Sequence, residues 1–440
     1  MSHMPSLVGR HVIVPLPDGT VGNPTVRNSL RRMKTDKLKA VSLFSGCGGF
    51  CEGIELAGYK IASAVEKDRF AADTYRFNFP NVPLFDGDVR EYLHPEHKET
   101  TQDLDLEDVD LVFGGPPCQG FSQIGTRSLD DERNNLYHEF VRVLKALNPP
   151  VFLMENVPNI VALYKGHYKN LILAAFKEAG YGNTTFVRVT ASDYGVPQER
   201  KRVFFVGISD RFKFPYDLQS FILGLLAQQT ISKPVSVWEA IGDLPAEVVH
   251  SGFTMDYPPE HFSEYQEVMR LDCSHVPYSR TEKMRKGIRH FDKIELHNHH
   301  TKEIQERRLS LIQMLEPGKK ANSLPKSVWN GLRPEKWRRL HPDQPAYTLL
   351  ANMHRDLSEF VHPKLNRWIT VREAARLQSF HDGFVFVGSE WQQLKQIGNA
   401  VPPLMGKVMG VVAAHVLEAL TSNTRPASLT AQPTQAVLPL

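Results

Sequence analysis

The segment Val109-Asp-Leu-Val-Phe-Gly-Gly-Pro-Pro-Cys118 places a reactive side chain directly after a predicted strand. Its first five residues are mainly apolar and β-branched, which is typical of a short buried strand. The two glycines permit a sharp exit from that strand, and the two prolines stiffen the chain. Cys118 is therefore expected at the carboxyl end of a strand, where open α/β sheets bind their ligands. A thiol there is either a nucleophile or a small apolar residue in a tight turn.

Strands and helices alternate on both sides of this segment. The predicted strands cover residues 40–44, 61–65, 109–113, 151–154, 184–189 and 203–207. A glycine turn after the first strand leads into a helix that begins near Phe50, but it lacks the Gly-x-Gly-x-x-Gly spacing typical of dinucleotide binding. The alternation predicts an α/β protein with a doubly wound, mostly parallel sheet. The last two strands are predicted to form an antiparallel hairpin at one edge.

The composition is that of a soluble globular protein with room for two domains. The chain has 440 residues, of which 23% are charged and 41% hydrophobic, and its net charge is +3. Because the net charge is small, a surface that binds nucleic acid must be a local cluster of basic residues. The four cysteines show no paired framework, which favours a reducing compartment. The sequence has neither the apolar core of a signal peptide nor a membrane-length apolar run, so we expect it in the cytosol or on the nucleoid.

Five short motifs follow one another along the chain. They are Phe44-Ser-Gly-Cys-Gly-Gly49, Pro116-Pro-Cys-Gln119, Glu155-Asn-Val157, Gln198-Glu-Arg-Lys-Arg202 and Gln396-Ile-Gly-Asn-Ala-Val401. In sequence and in order they resemble the motifs of the bacterial DNA cytosine-5 methyltransferases. The resemblance covers about residues 38–212 and 345–415, and it says little about the residues between them. One departure is Ser42, at a position where the family often has Asp.

The resemblance implies a class I methyltransferase fold, which is Rossmann-like, and S-adenosylmethionine as cofactor. The expected cofactor residues are Phe44, Gly46, Cys47, Gly48, Gly49, Glu66, Asp88, Val89, Pro116, Asn399 and Val401. Glu66 stands at the tip of the second predicted strand, where a carboxylate can accept both ribose hydroxyls. Asp88 matches the acid that contacts the adenine amino group in the family. No metal is expected, because no metal-ligand spacing is present.

The resemblance also implies the chemistry. The expected catalytic residues are Cys118, Glu155, Gln198, Arg200 and Arg202. Cytosine C5 is a poor nucleophile, and addition of the Cys118 thiolate to C6 converts the ring to an enamine. Glu155 would act at N3, while Arg202 would hold Glu155 and the base O2 with help from Arg200. Because a base inside a duplex is out of reach, the target must be flipped out.

We predict five segments along the chain. They are a basic N-terminal arm (1–37), a catalytic domain that binds S-adenosylmethionine (38–212), a target-recognition domain (213–390), a segment that returns to the catalytic domain (391–420) and a disordered tail (421–440). The recognition domain includes an organising helix, with Thr370 as the predicted N-cap and Glu373 completing a capping box. The last predicted helix, at about 407–420, is expected to pack on the catalytic domain.

The middle of the chain divides into an acidic half and a basic half. Residues 213–279 carry three Lys and Arg against nine Asp and Glu, whereas residues 280–340 carry 16 against seven. Trp329, Trp337, His290, His297, His299 and His300 are mixed with the basic residues. Basic residues interleaved with aromatic ones predict a DNA groove in residues 280–340. The expected DNA contacts are Gln119, Ser122, Arg333, Lys336, Arg338 and Arg339.

Three other functions compete with this interpretation. A tRNA cytosine methyltransferase would use the same scaffold, although such relatives have short recognition regions. A catalytically silent relative would only bind DNA or a partner, and the presence of Cys118 and Glu155 argues against it. The glycine turn alone would permit a nicotinamide-dependent oxidoreductase. We expect a monomer that acts on duplex DNA and is encoded beside restriction or phage-defence proteins.

Overall fold

The computed structural model describes most of the chain between residues 37 and 421. The described residues are 37–94, 96, 104–117, 136–256, 258, 262–270, 295–329, 337–351, 353 and 359–421. Five predicted site residues lie outside them, namely Cys118, Gln119, Ser122, Arg333 and Lys336. Almost all of the predicted N-terminal arm and tail also lies outside the described residues, so the predictions for these parts stay predictions.

Seven strands form the main sheet. They are β1 Lys39–Leu43, β2 Lys60–Glu66, β3 Leu84–Asp86, β4 Leu111–Gly114, β5 Val151–Asn156, β6 Asn183–Thr190 and β8 Lys201–Ile208, with the short β7 Gln198–Glu199 just before β8. Their order across the sheet is β3-β2-β1-β4-β5-β8-β6. The first five are mutually parallel, and β8 runs antiparallel to both β5 and β6. The predicted mostly parallel sheet with an antiparallel hairpin at one edge is therefore confirmed.

Helices cover both faces of this sheet. The helices up to the end of the sheet are α1 Gly49–Leu56, α2 Arg69–Asn78, α3 Leu136–Leu147 and α4 Leu163–Glu178. Those that follow are α5 Leu218–Gln229, α6 Val237–Ile241, α7 Glu264–Arg270, α8 Glu306–Gln313, α9 Val371–Leu377, α10 Glu390–Asn399 and α11 Pro403–Thr421. Apolar residues of α1, α5 and α11 form the core on one face, and those of α3 and α4 form it on the other. Because both faces are covered, the central strands are almost continuously apolar.

The C-terminal helix α11 packs on α1 at very short range. A Cβ atom on Gly53 would lie 2.4 Å from the carbonyl oxygen of Pro403 and 2.6 Å from the backbone of Gly406. Glycine is therefore needed there for the two backbones to approach. The segment Glu390–Thr421 is long and apolar enough to cross a membrane, but 72% of its most apolar stretch is buried in this protein, as expected of a core helix. The predicted packing of the last helix on the catalytic sheet is confirmed.

The helix α9 brings several charges into the interior. Thr370 caps it, because the Thr370 hydroxyl accepts from the Glu373 amide and the Glu373 carboxylate accepts from the Thr370 amide, which confirms the predicted capping box. Burial alone would raise the pKa of Glu373, but the adjacent Arg367 guanidinium lowers it to about 2. Arg376 is also fully buried and pairs with Asp243 and Asp382. These buried ion pairs fix α9 in the core that also contains α1, α5 and α11.

Residues from α8 onward form a smaller core of their own. It is built by Ile312, Leu315, Ala321, Leu324, Trp337, Val361 and Trp368. Short strands supply part of it, with β11 Trp337–Arg339 parallel to β13 Glu359–Val361. Two further short pairs join β9 Met255–Asp256 to β10 Glu295–Leu296, and β12 Ala346–Tyr347 to β7. The described residues between 37 and 421 belong to one compact unit, and the predicted boundary between catalytic and recognition domains stays a prediction.

Candidate active site

The carboxyl ends of the parallel strands meet at one edge of the sheet. Leu43, at the end of β1, pairs with Gly114 at the end of β4, and Gly114 pairs in turn with Met154 of β5. The residues that follow these positions are the glycine turn, the Gly-Pro-Pro turn and Glu155. Three of the predicted motifs are therefore adjacent because the sheet places them side by side.

A carboxylate joins the glycine turn to the neighbouring strand. Oε2 of Glu66 accepts a hydrogen bond from the Gly46 amide at 2.7 Å, and Oε1 accepts one from the Asp68 amide at 2.7 Å. Burial raises the pKa of this carboxyl, and the two amide bonds oppose that shift. Gly46 has a φ of +58°, and among the described residues no atom beyond its chain neighbours lies within 4 Å of the position that a Cβ would occupy. The turn is therefore open on one side, next to a carboxylate.

The other two glycines of the turn are required by packing. A Cβ on Gly48 would lie 2.2 Å from the ring of Phe79, and one on Gly49 would lie 2.6 Å from the carbonyl oxygen of Val401. The turn is thus packed against the last motif of the chain, and Val401 lies beside it. Asn399, the last residue of α10, is exposed close by in the chain.

The remaining predicted cofactor residues differ in which of their groups a ligand could reach. The Cys47 thiol is buried against the Gln396 carbonyl and Val89 is buried, so for both only the backbone is available to a ligand. Phe44 is half-buried and has a φ of +55°. The carboxylate of Asp88 is bound by Lys67 and Arg90. Ser42, the departure from the family pattern, is buried and accepts a hydrogen bond from the Ser45 hydroxyl at 2.8 Å.

Glu155 and Arg202 form an ion pair at the same edge. Nε of Arg202 lies 2.7 Å from Oε1 of Glu155, and both side chains are 13% exposed. Nη1 of Arg202 donates to the Lys201 carbonyl at 2.7 Å. Within the part of the chain that the structure describes, Nη2 of Arg202 makes no hydrogen bond, so this group is available to an acceptor. The predicted contact between Arg202 and Glu155 is confirmed.

Gly115 leaves the space that the Glu155 carboxylate occupies. A Cβ at this position would lie 2.8 Å from Oε2 of Glu155, closer than real Cβ atoms approach an oxygen. Gly115 precedes Cys118 by three residues. The carboxylate therefore lies directly against Gly115, at the start of the segment that leads to the predicted nucleophile in the sequence.

Replacing Gly115 by Ala is expected to displace Glu155 and break its ion pair with Arg202. A displacement near 1 Å at a reacting group costs roughly 10²-fold in rate, and we expect a loss of that order in methyl transfer. Initial rates measured with saturating cofactor and DNA would give the loss. Gly182→Ala is a matched control, since its Cβ would come no closer than 3.2 Å to Asp210, away from this edge. Equal rates for the two variants would contradict the assignment.

Asn156 fixes the same turn from the other side, and it was not among the predicted site residues. Its Nδ2 donates to the carbonyl of Pro116 at 3.1 Å, and its Oδ1 accepts from the Val157 amide at 2.8 Å. The side chain therefore ties the end of β5 to the residue two positions before Cys118. Its place next to Glu155 in the motif was the only sequence signal for this role.

The structure corrects the predictions for Arg200 and Gln198. The Arg200 guanidinium is buried and donates to the carbonyls of Leu349 and Gly398 at 3.1 and 3.0 Å. Gln198 is also buried; its amide donates to Leu377 and Gln378, and its oxygen accepts from the Leu349 amide. Both side chains therefore bind the protein interior rather than the catalytic edge. Their role is to hold distant segments together.

A local turn explains why Arg200 and Arg202 differ. The Arg200 amide donates to the Gln198 carbonyl at 2.9 Å, so the chain makes a three-residue turn between β7 and β8. The turn places Arg200 just before β8, which begins at Lys201, whereas Arg202 lies within β8 and pairs with Val189 of β6. Burial, and then the positive charge of Arg202, lower the pKa of Arg200 well below its usual value, while Glu155 acts in the opposite direction.

The structure also corrects part of the prediction that the basic residues 280–340 contact DNA. Arg339, a predicted DNA contact, is buried and donates to the carbonyls of Ile312, Leu315, His362 and Leu365 and to the side chain of Asn366. Trp337 is buried and donates to Glu359, and the buried His299 bonds to the Pro245 carbonyl and to Thr370. These residues stabilise the smaller core and its junction with α9. Arg338 lies over the Tyr347 ring at 5.2 Å and is half-buried.

The described residues contain no group of three His, Cys, Asp or Glu side chains that could hold a metal ion. His300, one of the histidines of the basic segment, is buried with Nε2 2.9 Å from the Gln393 side-chain oxygen. Among the described cysteines, Cys47 and Cys51 are free and buried.

The arrangement of strands, turns and the Glu155–Arg202 pair can be compared with known proteins. Residues 38–412 match the family described as C-5 cytosine-specific DNA methylase. The chain belongs to this family. The methyltransferase is 36% identical over 394 residues to the type II methyltransferase M.DdeI of Desulfomicrobium norvegicum, with 84% of this chain and 87% of that protein covered. It is 34% identical over 426 residues to the type II methyltransferase M.AgeI of Thalassovita gelatinovora, with 84% and 98% covered.

Solved structures agree with this identification. A prophage-encoded protein of E. coli, described as a DNA modification methyltransferase, aligns with a TM-score of 0.67 and 27% identity over 87% of this chain and 99% of that one. The resemblance drawn from five motifs and the class I methyltransferase fold are therefore confirmed. The enzyme is a DNA cytosine-5 methyltransferase of the type II restriction–modification kind.

The residues beside the glycine turn fit a nucleoside ligand of the methyltransferase. Both Glu66 oxygens accept an amide hydrogen bond at 2.7 Å, and because a carboxylate offers about four acceptor sites, capacity remains for a pair of ribose hydroxyls. The open space at Gly46 allows a ligand to approach the backbone. A carboxylate acceptor beside an open backbone turn fits the predicted S-adenosylmethionine site.

Proposed function

We propose that the enzyme methylates C5 of a cytosine flipped out of a specific duplex DNA sequence, through a covalent bond between Cys118 and C6. The observation that carries this proposal is the Glu155–Arg202 ion pair at 2.7 Å, packed against Gly115 at the start of the Cys118 turn. The carboxyl and guanidinium at this strand edge, with the Cys118 thiol that follows Pro117 in the sequence, would supply a proton donor, a carbonyl ligand and a nucleophile.

S-adenosylmethionine is the proposed cofactor, and when bound it supplies an activated methyl group. Glu66 would accept the ribose hydroxyls, and the Gly46 backbone would lie along the ligand. Asp88 would accept the adenine amino group, with Asn399 and Val401 at the far side of the turn. The close packing of Gly49 against Val401 supports a single site made of both motifs.

Glu155 and Arg202 prepare the base for attack. Arg202 holds Glu155 through Nε and offers Nη2 to the cytosine O2, while Glu155 shares a proton with N3. As the Cys118 thiolate forms a bond to C6, the electron pair of the C5–C6 double bond moves into the ring and is stabilised by these two groups. C5 would then bond to the methyl carbon as the bond from that carbon to the donor sulfonium breaks, leaving its electron pair on sulfur. A base or water removes the C5 proton, the released electron pair re-forms the C5–C6 double bond, and the Cys118–C6 bond breaks to restore the thiolate.

Duplex DNA as the substrate can be tested against the competing substrates directly. Transfer of tritium from labelled S-adenosylmethionine should occur with duplex DNA and not with tRNA, and bisulfite sequencing of DNA from expressing cells should show methylation at one sequence only. Transfer to tRNA alone would favour the RNA methyltransferase alternative. Absence of transfer to either substrate, with intact cofactor binding, would favour a silent relative.

Replacing Glu66 by Gln is expected to weaken binding of S-adenosylmethionine. An amide presents one acceptor oxygen instead of two and no charge, and hydrogen bonds to charged groups contribute roughly 1.5–3 kcal/mol. Calorimetric titration should therefore show a loss of affinity of about this size. A variant that binds as tightly as the wild type would place the ribose elsewhere.

DNA contacts are proposed for the edge near Cys118 and for part of the middle segment. Arg338 remains a proposed contact, as do Gln119, Ser122, Arg333 and Lys336, whereas the buried Arg339 does not. Phosphate contacts give affinity and base-edge contacts give sequence choice. We further propose that the enzyme works as a monomer in the bacterial cytosol, beside a cognate restriction or phage-defence protein.

A further inference from the structure

Asp88 lies beside Glu66 at the same sheet edge. The strands β2 and β3 are paired in parallel with Glu66 opposite Asp86, and the Gly87 amide donates to the Glu66 carbonyl at 3.0 Å. Asp88 follows directly. The two carboxylates therefore belong to one surface, and the proposed cofactor would extend from the first to the second.

The carboxylate of Asp88 already holds four donors. Its Oδ1 accepts from the Arg90 amide at 3.0 Å and from Arg90 Nε at 3.0 Å. Its Oδ2 accepts from Arg90 Nη2 at 2.7 Å and from Lys67 Nζ at 2.7 Å. Arg90 and Lys67 together hold the pKa of Asp88 well below its usual range, against the effect of burial. A carboxylate offers about four lone-pair sites, so Asp88 has no acceptor site left for a further N–H group.

The four donors are not equally easy to remove. Three come from Arg90, two residues away, as one backbone bond and a two-point contact with the guanidinium. The fourth is a single bond from Lys67, whose side chain is 68% exposed at the end of β2. Exposed ion pairs contribute little to stability, and a lysine ammonium is readily hydrated by water. Lys67 is therefore the donor that leaves at the lowest free-energy cost.

We propose that Lys67 is a displaceable counter-ion of Asp88. Its ammonium occupies the Asp88 oxygen to which the purine amino group would donate, and it must leave before that group can bind. This inference rests on the proposed S-adenosylmethionine site and adds a residue that sets its affinity. The adenine amino group would take the place of the Lys67 ammonium on Oδ2, and the ammonium would move into solvent. Lys67 thus competes with the ligand rather than contacting it.

Removing Lys67 should therefore tighten binding. Breaking an exposed ion pair costs about 0.2–1 kcal/mol, which corresponds to an affinity gain of roughly 1.5- to 5-fold. We expect Lys67→Met to bind S-adenosylhomocysteine more tightly than wild type by that factor in calorimetric titration at low salt. Lys60→Met is the matched control, because Lys60 is an exposed lysine at the opposite end of the same strand. It should bind like wild type.

A second ligand and a change of salt test the cause. S-inosylhomocysteine carries a carbonyl in place of the amino group, so it can accept from Lys67 and should show no gain with Lys67→Met. High salt screens exposed charges, so the gain for S-adenosylhomocysteine should shrink there. Unchanged or weaker binding of S-adenosylhomocysteine by Lys67→Met, or an equal gain with both ligands, would overturn the proposal. Failure of the wild-type protein to bind either ligand would instead overturn the cofactor site itself.

Discussion

Replacing Cys118 by Ser is expected to abolish methyl transfer. A serine hydroxyl remains protonated at neutral pH and is a far weaker nucleophile than a thiolate, so the rate should fall by roughly 10³-fold or more. Binding of S-adenosylmethionine should persist, because the proposed cofactor residues lie at the ends of β1 and β2 rather than on Cys118. Tritium transfer to duplex DNA and calorimetry on the same preparation would separate the two effects.

Covalent trapping makes this prediction specific to the bond with C6. DNA that contains 5-fluorocytosine at the target position should form a stable adduct with wild type, because fluorine cannot leave C5 as a proton does. Cys118→Ser should form none. Cys273→Ser, which removes a cysteine from the middle segment, is the control and should still form the adduct. Near-normal turnover by Cys118→Ser, or an adduct with it, would exclude Cys118 as the nucleophile.

Replacing Arg200 by Met is expected to destabilise the fold more than the chemistry. Methionine fills a similar volume but leaves the carbonyls of Leu349 and Gly398 without donors in the interior. Unsatisfied buried groups cost about 1–3 kcal/mol each, and relief of the buried charge offsets part of that, so we expect the free energy of unfolding to fall by about 3 kcal/mol. Urea unfolding, followed by fluorescence, would measure it.

Arg202→Met is expected to have the opposite effect, with a larger loss of rate than of stability. Its guanidinium binds Glu155 at the catalytic edge, so its loss should lower kcat strongly and change the free energy of unfolding less. The rate constant for Arg200→Met should be measured well below its unfolding transition, where the folded fraction is high. If Arg200→Met unfolds like wild type but loses kcat as Arg202→Met does, then Arg200 acts at the base and the structural role is wrong.

The sheet was predictable because its signals are local. Apolar runs such as residues 151–154 lie between turn residues, and the structure places β5 at Val151–Asn156. The capping box at Thr370 and Glu373 was predictable for the same reason, since both partners lie within one helical turn. The position of Glu155 and of the glycine turn at one edge follows from parallel strands, whose carboxyl ends must coincide.

The sequence by itself thus determined the family, the sheet and the identity of the groups at its carboxyl edge. Only the tertiary structure decided the direction of individual polar side chains. Arg200 and Arg202 are two residues apart and chemically identical, yet Arg200 binds the carbonyls of Leu349 and Gly398 and Arg202 binds Glu155. Arg339 was indistinguishable from Arg338 until its carbonyl partners, up to 27 residues away, were in place. The physical reason is that a buried side-chain donor must pair with an acceptor that would otherwise be unpaired, and this pairing sets the direction of the side chain. Those acceptors come from distant parts of the chain.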